Sequence, residues 1–138
     1  MATTQTFPRG KVSSTRILKE GNVTVMVSNM KRALDFYTSS LGLKLKYRAG
    51  NDWSEVEAPG LTMGLHLAGK HGPRPGKSVS LSIGFTVTKL ETAMGALKKK
   101  GVRFSPHMVD EGPVRLAFFT DPDGTPLYLC QVLHHKHH

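Results

Sequence analysis

The sequence predicts an α+β fold that contains two tandem βαβββ modules. Three observations lead to it: an internal repeat, strand-like alternation of apolar residues at the start of each copy, and a helical apolar pattern directly after it. A shift of 60 positions aligns Val27 with Val87, Ser28 with Thr88, Met30 with Leu90, Ala33 with Ala93 and Leu34 with Met94. The 138 residues suit a single domain.

Each copy begins with a strand that leads into a helix. The alternating apolar positions are Val23, Val25 and Val27 in the first copy and Ile83, Phe85 and Val87 in the second. The helical stripes are Met30, Ala33, Leu34 and Tyr37, over about residues 30–40, and Leu90, Ala93, Met94 and Leu97. Ser28 or Asn29 in the first copy, and Thr88 in the second, are the predicted helix caps because their side chains accept hydrogen bonds from free helical N–H groups.

Glycine and lysine mark the helix ends. Gly42 and Gly101 follow the two helical stretches and are expected to terminate them, because glycine takes the positive φ that helix ends often need. The three lysines at 98–100 fall on the last turn of the second helix. Cations complement the carbonyl end of a helix, so we interpret this run as capping rather than as a binding patch.

Three short strands are predicted after each helix. They cover about residues 44–48, 53–58 and 61–67 in the first copy and 103–108, 114–119 and 126–132 in the second. The turns Pro59-Gly60 and Asp121-Pro122-Asp123-Gly124 separate strands, since proline fixes φ and glycine accepts positive φ. The predicted modules are 22–68 and 79–131, joined by a linker at 69–78.

Composition excludes several classes of function. The net charge is +9, but residues 22–131 hold 14 basic and 9 acidic residues, so nearly half of the excess lies in the two ends of the chain. The basic residues are scattered and not interleaved with stacking aromatics, which argues against nucleic-acid binding. No membrane-spanning or secretory segment is predicted, and the single cysteine, Cys130, forms no internal disulfide. We therefore expect a cytoplasmic protein.

The two ends of the chain are predicted to lie outside the domain. Residues 1–21 are rich in Ser, Thr, Arg and Lys without firm periodicity, and are interpreted as a flexible or partner-dependent arm. Residues 132–138 form a histidine-rich tail. A terminal histidine run binds transition metals readily, so we interpret it as a solvated tail and not as an active site.

Five stretches together resemble the vicinal oxygen chelate superfamily, which includes glyoxalase I, extradiol dioxygenases and the fosfomycin and bleomycin resistance proteins. These stretches are residues 22–30, Ala33-Leu34-Asp35-Phe36-Tyr37, Leu41-Gly42-Leu43, residues 83–90, and residues 118–129 with their Asp-Pro-Asp-Gly turn. The resemblance covers residues 22–131. It implies that the modules form a cup-shaped mixed sheet around a ligand cavity and that the protein is a homodimer. A fold does not fix a function.

The resemblance also implies where a metal would be held. The family's ligand positions correspond to Asn22, His66, Ser82 and Tyr128 in this chain. Only His66 is a good ligand type, because serine and neutral tyrosine are poor donors for divalent metals and asparagine is weak. We therefore expect no metal cofactor.

Strand alternation predicts which side chains line the cup. The candidate ligand-binding residues are Trp53, Glu55, His66, His107, Arg115 and Tyr128. Arg115 enters this set because Arg115, Ala117 and Phe119 are taken as the second-copy counterparts of the Trp53 face. A register error of one residue would invert such an assignment.

Each candidate has a structural alternative. Arg115 either clamps a carboxylate or phosphate or pairs with Glu55. His66 and Glu55 are the candidates for general acid–base chemistry, but His66 is as well explained as a hydrogen-bonded wall residue. Trp53 either stacks on a planar ligand or closes the core, and Tyr128 donates a hydrogen bond into the cup. Cys130 is interpreted as a small wall residue.

These observations favour metal-independent binding of a small anionic or aromatic molecule in the cup. The alternative is a metal-dependent lyase, isomerase or dioxygenase with a rearranged site that combines His66 with Glu55, Glu57 or His107. A third hypothesis is a protein-interaction module that docks an acidic partner on the basic arm and linker. The sequence names no ligand and no reaction.

Overall fold

The computed structural model describes residues 17–18, 20–77 and 80–133. Its first module contains β1 (Val23–Val27), α1 (Met30–Leu34) continued by a π-helical segment (Asp35–Ser40), β2 (Lys44–Ala49), β3 (Trp53–Ala58) and β4 (Leu61–Leu67). Its second contains β5 (Ile83–Thr86), α2 (Leu90–Lys99), β6 (Phe104–Glu111), β7 (Val114–Thr120) and β8 (Pro126–Val132). The two tandem βαβββ modules are thus confirmed. The predicted arm, apart from its last residues, and the histidines of the tail lie outside the described residues.

Each module forms a four-stranded mixed sheet. The strand orders are β1-β4-β3-β2 and β5-β8-β7-β6. In each sheet the first strand is parallel to the last, and the other pairs are antiparallel. The pairing Val25 with Leu65 has its counterpart in Phe85 with Leu129, so the repeat extends to the register of the strands.

The helix starts differ between the modules. Asn29 caps α1, because its Oδ1 accepts a hydrogen bond from the Arg32 backbone N–H at 2.9 Å. The predicted capping role of Thr88 is wrong: α2 begins after Lys89 without a cap from its own segment. Instead the Leu90 N–H donates to Oε1 of Gln131, from β8, at 2.9 Å. A tertiary contact has replaced the local cap.

The helix ends follow the predicted chemistry. Gly42 and Gly101 have φ values of 81° and 92°, which glycine adopts without strain. Lys98 and Lys99 lie in the last turn of α2. The Lys100 ammonium donates to the Ser39 carbonyl at 3.2 Å, so this lysine ties the two helix ends together.

The core lies between the helices and the sheet faces that they cover. Its fully buried members include Val27, Tyr37, Val56, Met63, Leu65 and Leu90. Burying a large apolar side chain contributes about 1.5–3 kcal/mol. The opposite face of each sheet is left free of helices, and that face carries most of the candidate site.

A buried hydrogen bond joins the modules. The Tyr37 hydroxyl, from the first helix, donates to Oδ2 of Asp121 at 2.8 Å. Oδ1 of Asp121 accepts from the backbone N–H groups of Asp123 and Thr125 at 2.9 and 2.8 Å, which fixes the Asp-Pro-Asp-Gly turn. Burial, and then the neighbouring Asp121 carboxylate, raise the pKa of Tyr37 far above its ordinary value. The turn is therefore an intermodule contact as well as a reversal of the chain.

Neither helix of the described residues has the length and hydrophobicity of a membrane-spanning segment.

Candidate functional site

The helix-free face of the first sheet is defined by its register. Trp53 pairs with His66, which pairs with Met26 on the other side. One step along, Glu55 pairs with Gly64. Alternate residues of a strand point to the same side, so Trp53, Glu55 and His66 share one face, as the sequence predicted.

The indole of Trp53 lies over Gly64. A Cβ at Gly64 would overlap the benzene ring of the indole, so only glycine leaves space for it. The ring is also held by its edge, because the indole N–H donates to Oε2 of Glu55 at 3.1 Å. Trp53 remains partly exposed, which separates it from the fully buried core residues. The structure thus places Trp53 on the sheet surface and not in the core.

His66 lies beside the indole at the open surface. Its ring centroid is 6.1 Å from that of Trp53, with the two planes 74° apart. Its Nδ1 lies 2.8 Å from the Leu67 carbonyl, which favours the tautomer that carries the proton on Nδ1 and leaves Nε2 as an acceptor. The imidazole is exposed.

Tyr47 extends this face toward the sheet edge and was not among the predicted residues. It pairs with Glu55 from the neighbouring strand and is 55% exposed. The register of β2 shifts between Leu45 and Tyr47. Such a bulge changes which side chains face the cup, and simple alternation along β2 does not reveal it.

The second sheet carries a matching aromatic cluster. Tyr128 lies across Gly84, where a Cβ would overlap the phenol ring. Phe118 pairs with Tyr128, and their ring centroids are 6.2 Å apart. The ring of His107 stacks parallel to Phe118, with an interplanar angle of 9° and centroids 6.2 Å apart. In both modules, therefore, an aromatic ring covers a glycine of the adjacent strand.

The predicted placement of Arg115 is wrong by one residue of register. Ala117 pairs with Leu129 and is fully buried on the helix-covered face, and Arg115 belongs to the same side. There its guanidinium forms ion pairs with Glu91 of α2 and Asp110 of β6. The hydrogen bond between Arg115 and Glu91 is the main cause that raises the pKa of Arg115 and lowers the pKa of Glu91. Arg115 neither pairs with Glu55 nor lines the cup. Leu116 and Phe118, on the opposite side of β7, take the cup positions that the sequence assigned to Arg115 and Ala117.

The internal register shows that two of the metal positions taken from the resemblance, His66 and Tyr128, are not counterparts of each other. Gly84 pairs with Tyr128, and its first-module counterpart Thr24 pairs with Gly64. The residue equivalent to Tyr128 is therefore Gly64 and not His66. His66 corresponds instead to Cys130, which is partly buried.

The donor set at these positions does not fit a divalent metal. His66 is the one good ligand type among them, Tyr128 is packed on Gly84, and Gly64, the first-module counterpart of Tyr128, has no side chain. Asn22 accepts a hydrogen bond from the Thr24 hydroxyl at 3.1 Å, and Ser82 offers only a neutral hydroxyl. Within residues 17–18, 20–77 and 80–133, no three His, Cys, Asp or Glu side chains converge in a geometry that could hold a metal. Within those residues, no such group of three joins His66 to Glu55, Glu57 or His107.

A separate apolar groove of about 850 Å³ runs between the modules. Its lining comes from the ends of the first helix and β3, from β5 and from α2, including Leu41, Pro59, Phe85, Ala93 and Leu97. None of the six candidate residues lines it. No local sequence signal marks this groove, since it arises where the two modules meet.

Comparison with known proteins agrees with this architecture. Residues 21–129 match the family model described as the Glyoxalase/Bleomycin resistance protein/Dioxygenase superfamily. A search of the curated proteins finds no match.

Solved structures show the same fold at low sequence identity. A glyoxalase family protein from Enterococcus faecalis is 23% identical, with 83% of this chain and 98% of that chain covered and a TM-score of 0.67. A glyoxalase/bleomycin resistance protein/dioxygenase from Alicyclobacillus acidocaldarius is 18% identical, with 84% and 92% covered and a TM-score of 0.67. A virulence protein from Salmonella typhimurium is 18% identical, with 86% and 100% covered and a TM-score of 0.66. At these identities the likeness shows the fold alone.

Proposed function

The chain belongs to the Glyoxalase/Bleomycin resistance protein/Dioxygenase superfamily, and from that premise we propose that its cup binds a small planar aromatic molecule without a metal ion. The observation that carries the proposal is the pair of aromatic rings, Trp53 and Tyr128, each laid over a glycine of the adjacent strand. Tyr128 stands at one of the ligand positions that the resemblance implies, and Trp53 pairs with another, His66. They supply flat apolar surface for stacking with little conformational freedom to lose.

The placement of Arg115 supports the aromatic ligand over the anionic ligand, both of which the sequence allowed. Arg115 was the residue expected to clamp a carboxylate or phosphate. Its guanidinium is already bonded to Glu91 and Asp110 on the helix-covered side. The second-module face instead presents His107, Phe118 and Tyr128, which favour stacking over anion recognition.

Metal independence rests on the donor chemistry of the residues present. A metal enzyme of this superfamily needs several strong ligands around an open coordination position. Here the positions that the resemblance implies hold the Asn22 amide, the Ser82 hydroxyl, the packed Tyr128 phenol and the His66 imidazole, which is the single strong ligand type among them. A homodimer would add a second copy of each face, and sedimentation of the protein in solution tests that part of the proposal.

The single tryptophan makes the binding test specific. Trp53 is the only tryptophan of the chain, so its indole N–H gives one isolated cross-peak in a ¹H–¹⁵N NMR spectrum. The probe is 2-naphthalenemethanol, an uncharged bicyclic alcohol. A saturable shift of the indole peak is expected in the wild-type protein, and the absence of a saturable shift would contradict the proposal.

A pair of glycine variants locates the binding surface. Gly64→Ala forces the indole out of its position, since the new Cβ overlaps the ring, and we expect at least about a tenfold loss of affinity, or about 1.4 kcal/mol. Gly95→Ala is the matched control, because a Cβ at this helical position meets no neighbouring atom within 4 Å. Thermal unfolding of both variants verifies that they are folded. Equal affinities in the two variants would place the probe elsewhere, with the apolar groove as the next site to examine.

A further inference from the structure

The Glu55 carboxylate is the feature of this face that stacking alone leaves unexplained. Glu55 is partly buried in the middle strand of the half-sheet β2-β3-β4. One carboxylate oxygen accepts the Trp53 indole N–H. Arg115, the cation that the sequence offered as its partner, lies on the other face of the second sheet.

No cation of the described residues forms an ion pair with Glu55. The ion pairs within that part of the chain join Lys31 with Asp35, Arg32 with Asp123, and Arg115 with Glu91 and Asp110. Arg48, on the neighbouring strand, donates to the Gly50 carbonyl and to Asn51. Among the residues that the structure describes, Glu55 is thus a carboxylate without a salt bridge, although the net charge of the chain is +9.

The surroundings of Glu55 are aromatic. Trp53 lies at one side on the same strand, with its indole N–H 3.1 Å from the carboxylate. Tyr47 is the residue directly opposite on β2, where paired side chains have Cβ atoms about 4.5–5.5 Å apart. On β4 the partner is Gly64, which contributes no side chain of its own. A carboxylate between two aromatic rings is the chemistry that recognises an organic cation.

The local charge around Glu55 permits a cation to bind there, although the chain as a whole is basic. Residues 44–67 contain three basic and three acidic residues, so the half-sheet that carries Glu55 has no net charge. The charged partner on the same face, Lys44, pairs in register with Glu57 and not with Glu55. The excess positive charge lies mainly elsewhere along the sequence.

Desolvation then selects the sign of the ligand charge. A planar molecule that covers the indole also covers the carboxylate bonded to its edge. Removing a carboxylate from water without a compensating positive charge is costly, and an anionic ligand adds repulsion to that cost. A ligand with a positively charged nitrogen replaces the lost water at Glu55 and gains cation–π attraction from Tyr47 and Trp53.

We infer that the ligand of this cup is an aromatic cation, whose ring packs on Trp53 and whose protonated or quaternary nitrogen lies against Glu55. This inference rests on the proposed binding function and adds the charge of the ligand and the residue that selects it. Glu55 thereby acts as a specificity residue and not as the general base considered from the sequence.

The experiment compares three probes with the same ring and different charge. They are 2-naphthylmethylammonium, 2-naphthalenemethanol and 2-naphthoate, each titrated at neutral pH against the Trp53 indole peak. The expected order is cation, neutral, anion, with the cation at least about fivefold tighter than the neutral alcohol, or about 1 kcal/mol. Added salt is expected to narrow this ratio because it screens the carboxylate.

Two matched variants identify the residue responsible. Glu55→Gln keeps the size of the side chain and an oxygen that can accept the indole N–H, so the cationic probe is expected to lose at least about fivefold more affinity than the neutral probe. The preference for the cation is expected to disappear. Glu57→Gln makes the same change on the same strand and the same face, two residues away and opposite Lys44, and is expected to retain the preference.

The outcomes separate this inference from the proposed function. Binding of the probes without preference for the cation, or a preference that survives in Glu55→Gln, overturns the inference and leaves aromatic binding standing. An equal loss of preference in Glu57→Gln also overturns it, because the effect then comes from the general field of the sheet. No saturable binding of any probe overturns both.

Discussion

The Tyr37→Phe substitution removes a single hydroxyl group from the contact between the two modules. That hydroxyl donates to Oδ2 of Asp121 at 2.8 Å, while Oδ1 keeps its two backbone donors in the turn. Tyr37 is fully buried and Asp121 is 3% exposed, so water does not readily replace the lost donor. The substitution leaves one oxygen of a buried carboxylate without its partner.

The magnitude follows from that geometry. A hydrogen bond to a charged group contributes about 1.5–3 kcal/mol, and the ring itself stays in place, so we expect a loss of about 2 kcal/mol in the free energy of unfolding. For a domain of this size the loss corresponds to a decrease of roughly 6–10 °C in Tm. Urea denaturation followed by circular dichroism, with Tm from thermal scans, measures both quantities.

The control is Tyr47→Phe, which makes the same chemical change at a side chain that is 55% exposed. Its expected effect is less than about 0.5 kcal/mol, as for most surface substitutions. If Tyr37→Phe costs no more than Tyr47→Phe, the buried bond does not stabilise the intermodule contact and the reasoning is refuted.

Three further predictions concern stability and pH. Ser54→Ala is expected to raise the free energy of unfolding by about 1 kcal/mol, because the buried Ser54 hydroxyl has no hydrogen-bond partner among the described residues. Its counterpart in the second module is Ala117. A lower free energy of unfolding in chemical denaturation would mean instead that the hydroxyl is hydrogen-bonded. Folding raises the pKa of Tyr37, so the stability that depends on the protonated hydroxyl is complete below the unfolded pKa of about 10 and is lost as the pH rises above that value. The absorbance change of Tyr37 at high pH is therefore expected to accompany unfolding. Ionisation of all tyrosines in the folded protein would contradict this prediction. Folding lowers the pKa of Glu91, so the stability that its carboxylate contributes is present at neutral pH and is lost as the pH falls through the acidic range. Glu91→Gln is expected to make acid unfolding less steep, but only slightly, because the carboxylate is 70% exposed. Identical acid-unfolding profiles of the wild type and the variant would count against the ion pair.

Much of the candidate site follows from strand alternation. The sequence predicted that Trp53, Glu55 and His66 share a face, and the register of β3 with β4 places them there. Two residues that it missed are Tyr47, which comes after a register shift in β2, and Phe118 of β7. The partner strand β6 shifts against β7 between Phe104 and Met108, although its residue His107 was predicted. A bulge adds a residue to one strand without any necessary mark in composition, so alternation alone cannot locate it.

Arg115 shows why a site cannot be transferred from one repeat to the other by spacing. The 60-residue shift that aligns the first strand and helix does not hold in the last strands, where Gly64 corresponds to Tyr128. A difference of one residue moves a side chain to the opposite face of a sheet. In β7 this one-residue difference places Leu116 and Phe118 on the cup side and Arg115 on the opposite side, which removes the basis for an anionic ligand.

The sequence by itself determined the order of the elements, the two-module repeat and the places where helices and turns end. These features depend on hydrophobic period, glycine and proline, which act over a few neighbouring residues. Only the tertiary structure decided that Gln131 caps α2, that Tyr37 bonds Asp121, and that the aromatic rings of Trp53 and Tyr128 cover glycines of adjacent strands. Each of these contacts joins residues on different elements, and their geometry is fixed by strand register and packing, which no local pattern of residues contains.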